Sequence, residues 1–504
     1  MRTSEIQDPT SREAPSTKIQ DPIRSHRGES ASTFIIVLWI AFGLVSMAIY
    51  FAHSMSFELR AADNRVSGIS AEQAIEGAAR YVNYLLTTQV ANNSNGFLPD
   101  PAFYLSEAVP VGDAHFWLIG RDTNNAIGPG QLSFGLVDEA SKVNLNSASS
   151  NILAALMVSL PRANPDLALA ILDWRDTNAT GAYQTYYATR PQPYQCKNAA
   201  FETADELRLL YGADMDTLVG EDVNRNGVLD LNESDENHNG VLEPGVLEYV
   251  TVYSREPNTY SNGTARVSLR AVSTTGPLPT LLQNVLGTGR AQTILANLGL
   301  QQNTGAGRNG QAGRSGPPGR SGGGAGGSTG GQVSSPVTFT SPLHFFRQSK
   351  MTSDEFGQIA NDITVTNGAY IDGRINVNTA SATVLASLPG LDSNPELAQT
   401  LVTYRQSNPD KLGSIAWVVD ALGENNSSVL SALQATDCIT AQSYQVTADV
   451  AALGPNGRGY RRIRFVFDTS DGTPKIIYRQ DLTYLGWALG KEVRDNWLLA
   501  KTTR

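Results

Sequence analysis

Cysteine and histidine are nearly missing from this chain. Its 504 residues contain two cysteines, Cys196 and Cys438, and five histidines, His26, His53, His115, His238 and His344. Two thiols cannot staple a disulfide scaffold, although an exported location would permit one bond between them or leave both unpaired. The histidines fall into no His-x-x-x-His or similar ligand spacing, so a histidine-bound metal enzyme has no support. Basic charge is short as well. With 38 Lys and Arg against 48 Asp and Glu the net charge is -10, which argues against a general affinity for nucleic acid or anionic lipid. The 41% hydrophobic content is enough for real cores in two or three domains.

A local absence is more telling. No charged residue lies between Glu29 and Glu58, and the run FIIVLWIAFGLVSMAIYF fills that gap. A helix needs roughly 20 apolar residues to cross a bilayer, so residues 31–52 are expected to span one. An ordinary signal peptide has an apolar core of about 7 to 15 residues followed by a small-residue cleavage site. Here the small residue, Gly28, precedes the core, and processing at that point would leave the apolar helix on the mature chain. Arg24 and Arg27 crowd the leading flank and favour keeping it cytoplasmic, with the bulk of the chain outside. Beyond the span, Leu59, Ala62, Val66, Ile69, Ala74, Ala78, Tyr81, Val82 and Leu85 recur at three- and four-residue steps, which predicts that the helix continues as an amphipathic rod to about residues 92–96.

A basic leader, then Gly28, then an uninterrupted apolar helix resembles the signal of type IV pilins and type II secretion pseudopilins. The resemblance implies prepilin peptidase cleavage between Gly28 and Glu29, followed by methylation of the new amino terminus. It also implies a pilin spine with the N-terminus in the cytoplasm, the head in the periplasm and the anchor in a bacterial inner membrane. Counting from Glu29, position five is Thr33, where that family usually has a Glu whose carboxylate meets a neighbour's amino terminus. A buried amine without its partner is costly, so a subunit lacking the Glu suits a filament tip. That lack resembles the large minor pseudopilin of the family, general secretion pathway protein K. Glu29 departs from the apolar residue usual at position one.

HFWLIGR from His115 and LSFGLVDE from Leu132 are short apolar runs divided by GPG and read as strands. An internal repeat follows. KVNLNSASSNILAALMVSL from Lys142 aligns with RINVNTASATVLASLPGL from Arg374, and DLALAILDWRD from Asp166 answers ELAQTLVTYRQ from Glu396. Ser147 and Thr379 are placed to cap the first helix of each copy. The strings around Asp138, Glu139, Lys142, Asn144 and Asn146, and then Asp173, Trp174, Arg175 and Asp176, resemble the paired helix-hairpin-helix or SAM-like modules of protein K. The second copy also resembles DNA-binding helix-hairpin-helix modules. There, however, Asp392 in the Pro389-Gly390-Leu391-Asp392 hairpin puts a carboxylate where a phosphate would sit.

Between the copies lies EDVNRNGVLDLNESDENHNGVLEPGVLE, from Glu221. Asp222, Asn224, Asn226, Gly227, Val228, Asp230 and Glu233 fill positions 1, 3, 5, 6, 7, 9 and 12 of an EF-hand-type loop, whose oxygens suit calcium. Asp235, Asn237, Asn239, Gly240, Val241 and Glu243 repeat the pattern, but the twelfth position is Val246, and Glu248 is the candidate replacement carboxylate. Loops this close resemble tandem dockerin-like calcium turns more than an EF-hand pair. Two structural calcium ions are expected, and calcium in the helical region is also what the protein K resemblance implies.

The Gly-rich stretch 301–335 lacks a collagen triplet and reads as a flexible linker. Its Gly319-x-Ser321-x-Gly323 string lacks the strand and helix that a nucleophile elbow requires. YQVTADV from Tyr444, RRIRFVFD from Arg461 and KIIYRQDL from Lys475 read as a meander. By the resemblance, these strands complete a pilin sheet that a helical insert interrupts. The expected fold class is α+β: a pilin-like fold carrying a large, mostly α-helical insert of two helix-hairpin-helix or SAM-like modules. Its parts are a leader (1–28), N-terminal helix (29–92), first sheet segment (93–140), first module (141–300, calcium loops 222–248), linker (301–335), second module (336–440), late strands (441–490) and tail (491–504). The expected role is non-enzymatic: a minor pseudopilin at the tip of the type II secretion pseudopilus, helping to start its assembly and the export of folded proteins. Its partners would be I- and J-type minor pseudopilins, the major pseudopilin, the inner membrane, and a secreted substrate or the outer-membrane secretin, with no nucleic acid. A type IV pilus minor pilin, or a DNA-uptake helix-hairpin-helix protein, is the alternative.

Overall fold

The computed structural model describes residues 29–92, 96, 98–124, 130–178, 181–230, 232–260, 262–300, 336–491, 493 and 495. The leader, including Gly28, and the Gly-rich stretch 301–335 lie outside the described residues, as does the Gly-x-Ser-x-Gly string within it. Two compact units are distinguished, one ending at Asn64 and one beginning at Arg65.

Helix α1 runs Glu29–Asn92. In the first unit its side chains, among them Phe34, Ile36, Trp39, Phe42 and Leu44, are exposed. Among the described residues it is the helix long and apolar enough to cross a membrane, by length and composition. In the second unit its inward face is Ala71, Ala74, Ile75, Ala78, Ala79, Val82 and Leu86, packed on Phe116, Leu118, Val450, Phe465 and Phe467. Four alanines in that face let the helix approach the sheet closely. Val66 and Ile69, expected on this stripe, are exposed. At 3.6 residues per turn Val66 falls opposite Ile75.

The sheet has six strands: β1 (Val109–Val111), β2 (Ala114–Ile119), β3 (Val137–Asp138), β4 (Gln445–Leu453), β5 (Arg461–Asp468) and β6 (Lys475–Asp481). Their order is β1-β2-β4-β5-β6, with β3 also on β4, and all pairings are antiparallel. The central pairing, Leu118 opposite Val450, joins parts of the chain that more than 300 residues separate. The long helical region is thus an insert between neighbouring strands, and the late strands complete the sheet as expected. Of the strand expected from Leu132, only Val137–Asp138 and an isolated Ile119 to Phe134 bridge pair. The chain turns away there because Asp138 caps the following turn, accepting from Ala140 N.

Both copies of the repeat form a helix pair closed by a short parallel bridge. In the first, α2 (Ser150–Ser159) and α3 (Asp166–Arg175) follow Val143–Asn144, which pairs with Val250–Thr251. In the second, α4 (Ala382–Ala386) and α5 (Pro395–Ser407) follow Ile375–Asn376, which pairs with Ile439–Thr440. The caps are Ser149 and Ser381, which accept from the main chain three residues on, and not Ser147 and Thr379. Those two sit two residues too early, in the loop where Asn144 and Asn376 accept from Asn146 N and Asn378 N. Arg175 donates to Leu145 O and Ala148 O, and Arg405 donates to Val377 O and Ala380 O. One arginine therefore clasps each helix pair to its own entry loop. Leu153, Leu156, Leu385 and Leu388 are fully buried in a single core that spans both copies.

Cys196 and Cys438 are both free thiols. Cys196 is buried and bonds Asp173 O, while Cys438 accepts from Thr436 Oγ1. Each sits in a different module with its own polar neighbours, so the single bond that the sequence left open is not formed.

Candidate metal centre and its attachment to the sheet

The Asp-x-Asn-x-Asn-Gly spacing makes each loop fold around its own side chains. In the first, Asp222 accepts from Asn226 N (2.9 Å) and Gly227 N (2.8 Å), Asn224 from Asn226 N (3.0 Å), and Asn226 from Val228 N (2.9 Å). The second repeats every bond thirteen residues on: Asp235 accepts from Asn239 N and Gly240 N, Asn237 from Asn239 N, and Asn239 from Val241 N. Positions four and six are left-handed in both, with φ of +58° at Arg225 and +83° at Gly227, and +57° at His238 and +70° at Gly240. That backbone curls the polar side chains inward, and glycine relieves the strain at one of the two positions.

Across the first loop, the amides of Asn224 and Asn226 donate to Asp230 (2.6 and 3.0 Å). Glu233 closes it by accepting from Asn224 N and Asp230 N. Every side chain proposed as a first-loop ligand is thus brought together, with Val228 at the carbonyl position. In the second loop the amides of Asn237 and Asn239 converge on Glu243, but nothing closes it. Val246 is fully buried at the start of the short helix Val246–Tyr249. Glu248, the expected replacement, is held elsewhere: Arg121 pairs with it at 2.5 Å. The same Arg121 donates to Arg225 O and Asn226 O, so Glu248 is held beside the first loop instead of completing the second.

The loops also differ in surroundings. Asp222, Asn224 and Asn226 are buried, whereas Asn237 and Asn239 are exposed. Buried Glu221 joins the two, accepting from Glu236 N, Glu243 N and Arg162. Arg162 also reaches Asp216, Glu236 and Glu243. Gly220 and Pro244 form an antiparallel bridge beside them.

A fixed polar frame ties the first loop to the sheet. Arg462 on β5, fully buried, forms a two-pronged pair with Asp449 on β4 (both contacts 2.8 Å) and donates to Asn224 O and to Arg225 O (2.7 Å). Arg464 is a second ion-pair partner of Asp449, at 2.7 Å. Arg121, just past β2, donates to Arg225 O (2.9 Å) and Asn226 O (3.4 Å) while holding Glu248. Burial alone would raise the Asp449 pKa, but Arg462 and Arg464 outweigh it and hold the carboxyl well below the usual range. Within the loop the balance is reversed. Desolvation pushes Asp222 up despite Arg121, and pushes Glu233 up with Asp222 and Asp230 adding to it.

Buried Asp222 and half-buried Asp230 and Glu233, in a hydrogen-bonded ring of oxygens, fit a hard divalent cation that prefers oxygen ligands. Among the described residues no three His, Cys, Asp or Glu side chains converge tightly enough to hold a metal alone. Any ion here therefore depends on the amide and main-chain oxygens that calcium accepts and zinc avoids. The attachment residues Arg121, Asp449 and Arg462 were not picked out in the sequence. Charges at alternating positions within the apolar strands YQVTADV and RRIRFVFD were the available signal.

A helix long enough to span a bilayer and an antiparallel sheet on its later part fit a pilin-like fold, here interrupted by a duplicated helix-pair insert. Residues 134–219, from β3 through the first helix pair to the start of the loops, match the family model described as Type II secretion system (T2SS), protein K. The likeness to protein K thus lies in the first of the two repeated modules. A solved chain from "The Crystal Structure of the GspK-GspI-GspJ complex from enterotoxigenic Escherichia coli Type 2 Secretion System" is similar at 10% identity and a TM-score of 0.36, covering 81% of this chain and 96% of that one. At that score the likeness carries no argument. No curated protein matches the sequence.

Proposed function

We propose that this minor pseudopilin occupies the tip of the type II secretion pseudopilus, where it helps to start assembly and the export of folded proteins across the outer membrane. The observation that carries the reading is the protein K match on a module built into the sheet that α1 covers. Thr33, in place of the glutamate that would meet a neighbour's amino terminus, supports a terminal position. Cleavage before Glu29, methylation there, and a cytoplasmic N-terminus with a periplasmic head complete the reading. The partners are I- and J-type minor pseudopilins and the major pseudopilin, with the secretin or a secreted substrate above. The role is mechanical and not enzymatic. The helix pairs serve as SAM-like packing modules, and DNA uptake is disfavoured because Asp392 accepts from Gly390 N and Ser393 N, occupying donors that a phosphate would need.

Two calcium ions belong to this reading. Asp222, Asn224, Asn226, Val228, Asp230 and Glu233 would hold the first, and Asp235, Asn237, Asn239, Val241 and Glu243 a second, more open one. A bound ion would neutralise the carboxylates that burial has pushed up and so stiffen the head. The test is to express the full chain in a type II secreting bacterium and measure its mature mass and what it captures. A chain that begins at Glu29 and co-purifies with I- and J-type subunits supports the proposal. An intact leader beside an active prepilin peptidase, with neither subunit captured, removes it.

A further inference from the structure

The first loop touches a part of the chain far away in sequence. Asn224 Nδ2 donates to Trp487 O (3.3 Å) and Asn226 Nδ2 to Ala488 O (3.0 Å). Each of these amides also donates to Asp230, so both protons of each are directed, and the amide planes that carry two of the ligand oxygens are set from outside the loop. The segment that sets them is itself held. Ala488 and Leu489 are fully buried against Trp117, Ile119, Ala451 and Leu453 on the sheet. The Trp487 indole packs against Tyr460, ring centres 5.3 Å apart and planes tilted by 43°, and donates to Gly490 O at 2.6 Å. Gly490 turns with φ of +67° close to Asp230.

We infer that the first loop and the segment from Trp487 to Gly490 form a lock, in which a divalent cation in the loop and closure of that segment on the sheet favour each other. Trp487 and Ala488 are positioning residues, acting through their carbonyls on Asn224 and Asn226. If the segment opens, each amide loses one of its two acceptors and is held less firmly in its plane. If the loop is filled, the amides are fixed and the segment's acceptors stay paired. Binding that requires the closed arrangement must stabilise it by the same free energy. Among the described residues the second loop has no such partner from the late part of the chain, so its ion would leave this segment unaffected. This inference rests on the metal reading above.

The test is hydrogen exchange of the full chain in detergent, with calcium binding measured in parallel by calorimetry. At calcium about 100 times the dissociation constant, opening that excludes the ion is suppressed on the order of 100-fold. Amides at 485–490 are therefore expected to exchange about 100-fold more slowly in the wild type. They should do so equally in Glu243→Gln, which weakens the second loop, and the effect should be lost in Glu233→Gln, which weakens the first. Both substitutions keep side-chain size, and Glu233→Gln leaves the Nδ2 contacts of Asn224 and Asn226 to Asp230, Trp487 and Ala488 in place. Calcium binding with unchanged exchange at 485–490 overturns the lock while leaving the metal site standing. Protection that survives Glu233→Gln but not Glu243→Gln overturns it as well. No calcium binding in any form overturns the metal reading and the lock with it.

Discussion

Replacing Arg462 by methionine removes the centre of the frame between insert and sheet. The substitution keeps the bulk of the side chain and deletes four donated bonds: two to Asp449, one to Asn224 O and one to Arg225 O. Asp449 is left 1% exposed, with Arg464 as its remaining ion-pair partner among the described residues. Removing one member of a buried pair typically costs about 3 to 5 kcal/mol, because the other charge stays buried. Arg464 retains part of the compensation, while each orphaned carbonyl adds about 1 kcal/mol or more, so the expected loss is about 4 kcal/mol at neutral pH. Equilibrium urea unfolding of the full chain in detergent would read it. The double replacement Arg462→Met with Asp449→Leu removes the stranded charge and should recover about half the loss. The effect should also depend on pH in a defined direction. In the wild type, Asp449 has a depressed folded pKa, so its contribution is present above about pH 4 and is lost as pH falls. In the variant, burial dominates, the folded pKa rises, and protonation relieves the buried charge. The gap between variant and wild type should therefore narrow from pH 7 to pH 4. A loss under about 1 kcal/mol, or a double variant no better than the single, would refute the buried frame.

Glu355 sits at the third position of a capping box with Thr352 and forms a two-pronged pair with Arg290 (2.7 and 2.8 Å). The Arg290 hydrogen bond lowers its pKa to about 2, so its contribution is present above about pH 4.5 and fades as pH falls towards 2. Because both side chains are between a fifth and a third exposed, Glu355→Gln should cost only about 1 kcal/mol at pH 7. Urea midpoints of the two forms should converge near pH 2.5. Gly220, between α-helical residues and the first loop, has φ of +63°, and a Cβ there would stand 2.3 Å from Glu243 O. Gly220→Ala should therefore cost roughly 3 kcal/mol or more through strain and backbone displacement, and should weaken calcium binding at both loops. Unchanged calorimetry and stability would show that the bridge between the loops does not matter.

Periodic and local features were legible in advance. The uncharged run after Glu29, the late meander and the paired Asn-x-Asn helical copies all read correctly because helix and strand periods, turns and caps are written within a few residues. The caps at Ser149 and Ser381 were misplaced by two residues, since Ser147 and Ser149 look alike until a backbone shows which one faces a free N-H. Glu248 was assigned to the second loop because it lies near that loop in sequence. Arg121, more than a hundred residues earlier, holds it beside the first.

The sequence by itself determined the membrane-length helix, the duplicated insert, the two Asp/Asn/Gly turns and the strands that close the sheet. Each of these depends on residues within about a dozen positions of one another. Tertiary structure alone decided that the first loop is buried and the second open, that Arg121 and Arg462 bind the first loop to β2 and β5, and that Trp487 and Ala488 reach Asn224 and Asn226. Those differences arise from which groups lose water, and from pairings across more than a hundred residues. The loops share one pattern, and only the packing around it makes them unequal.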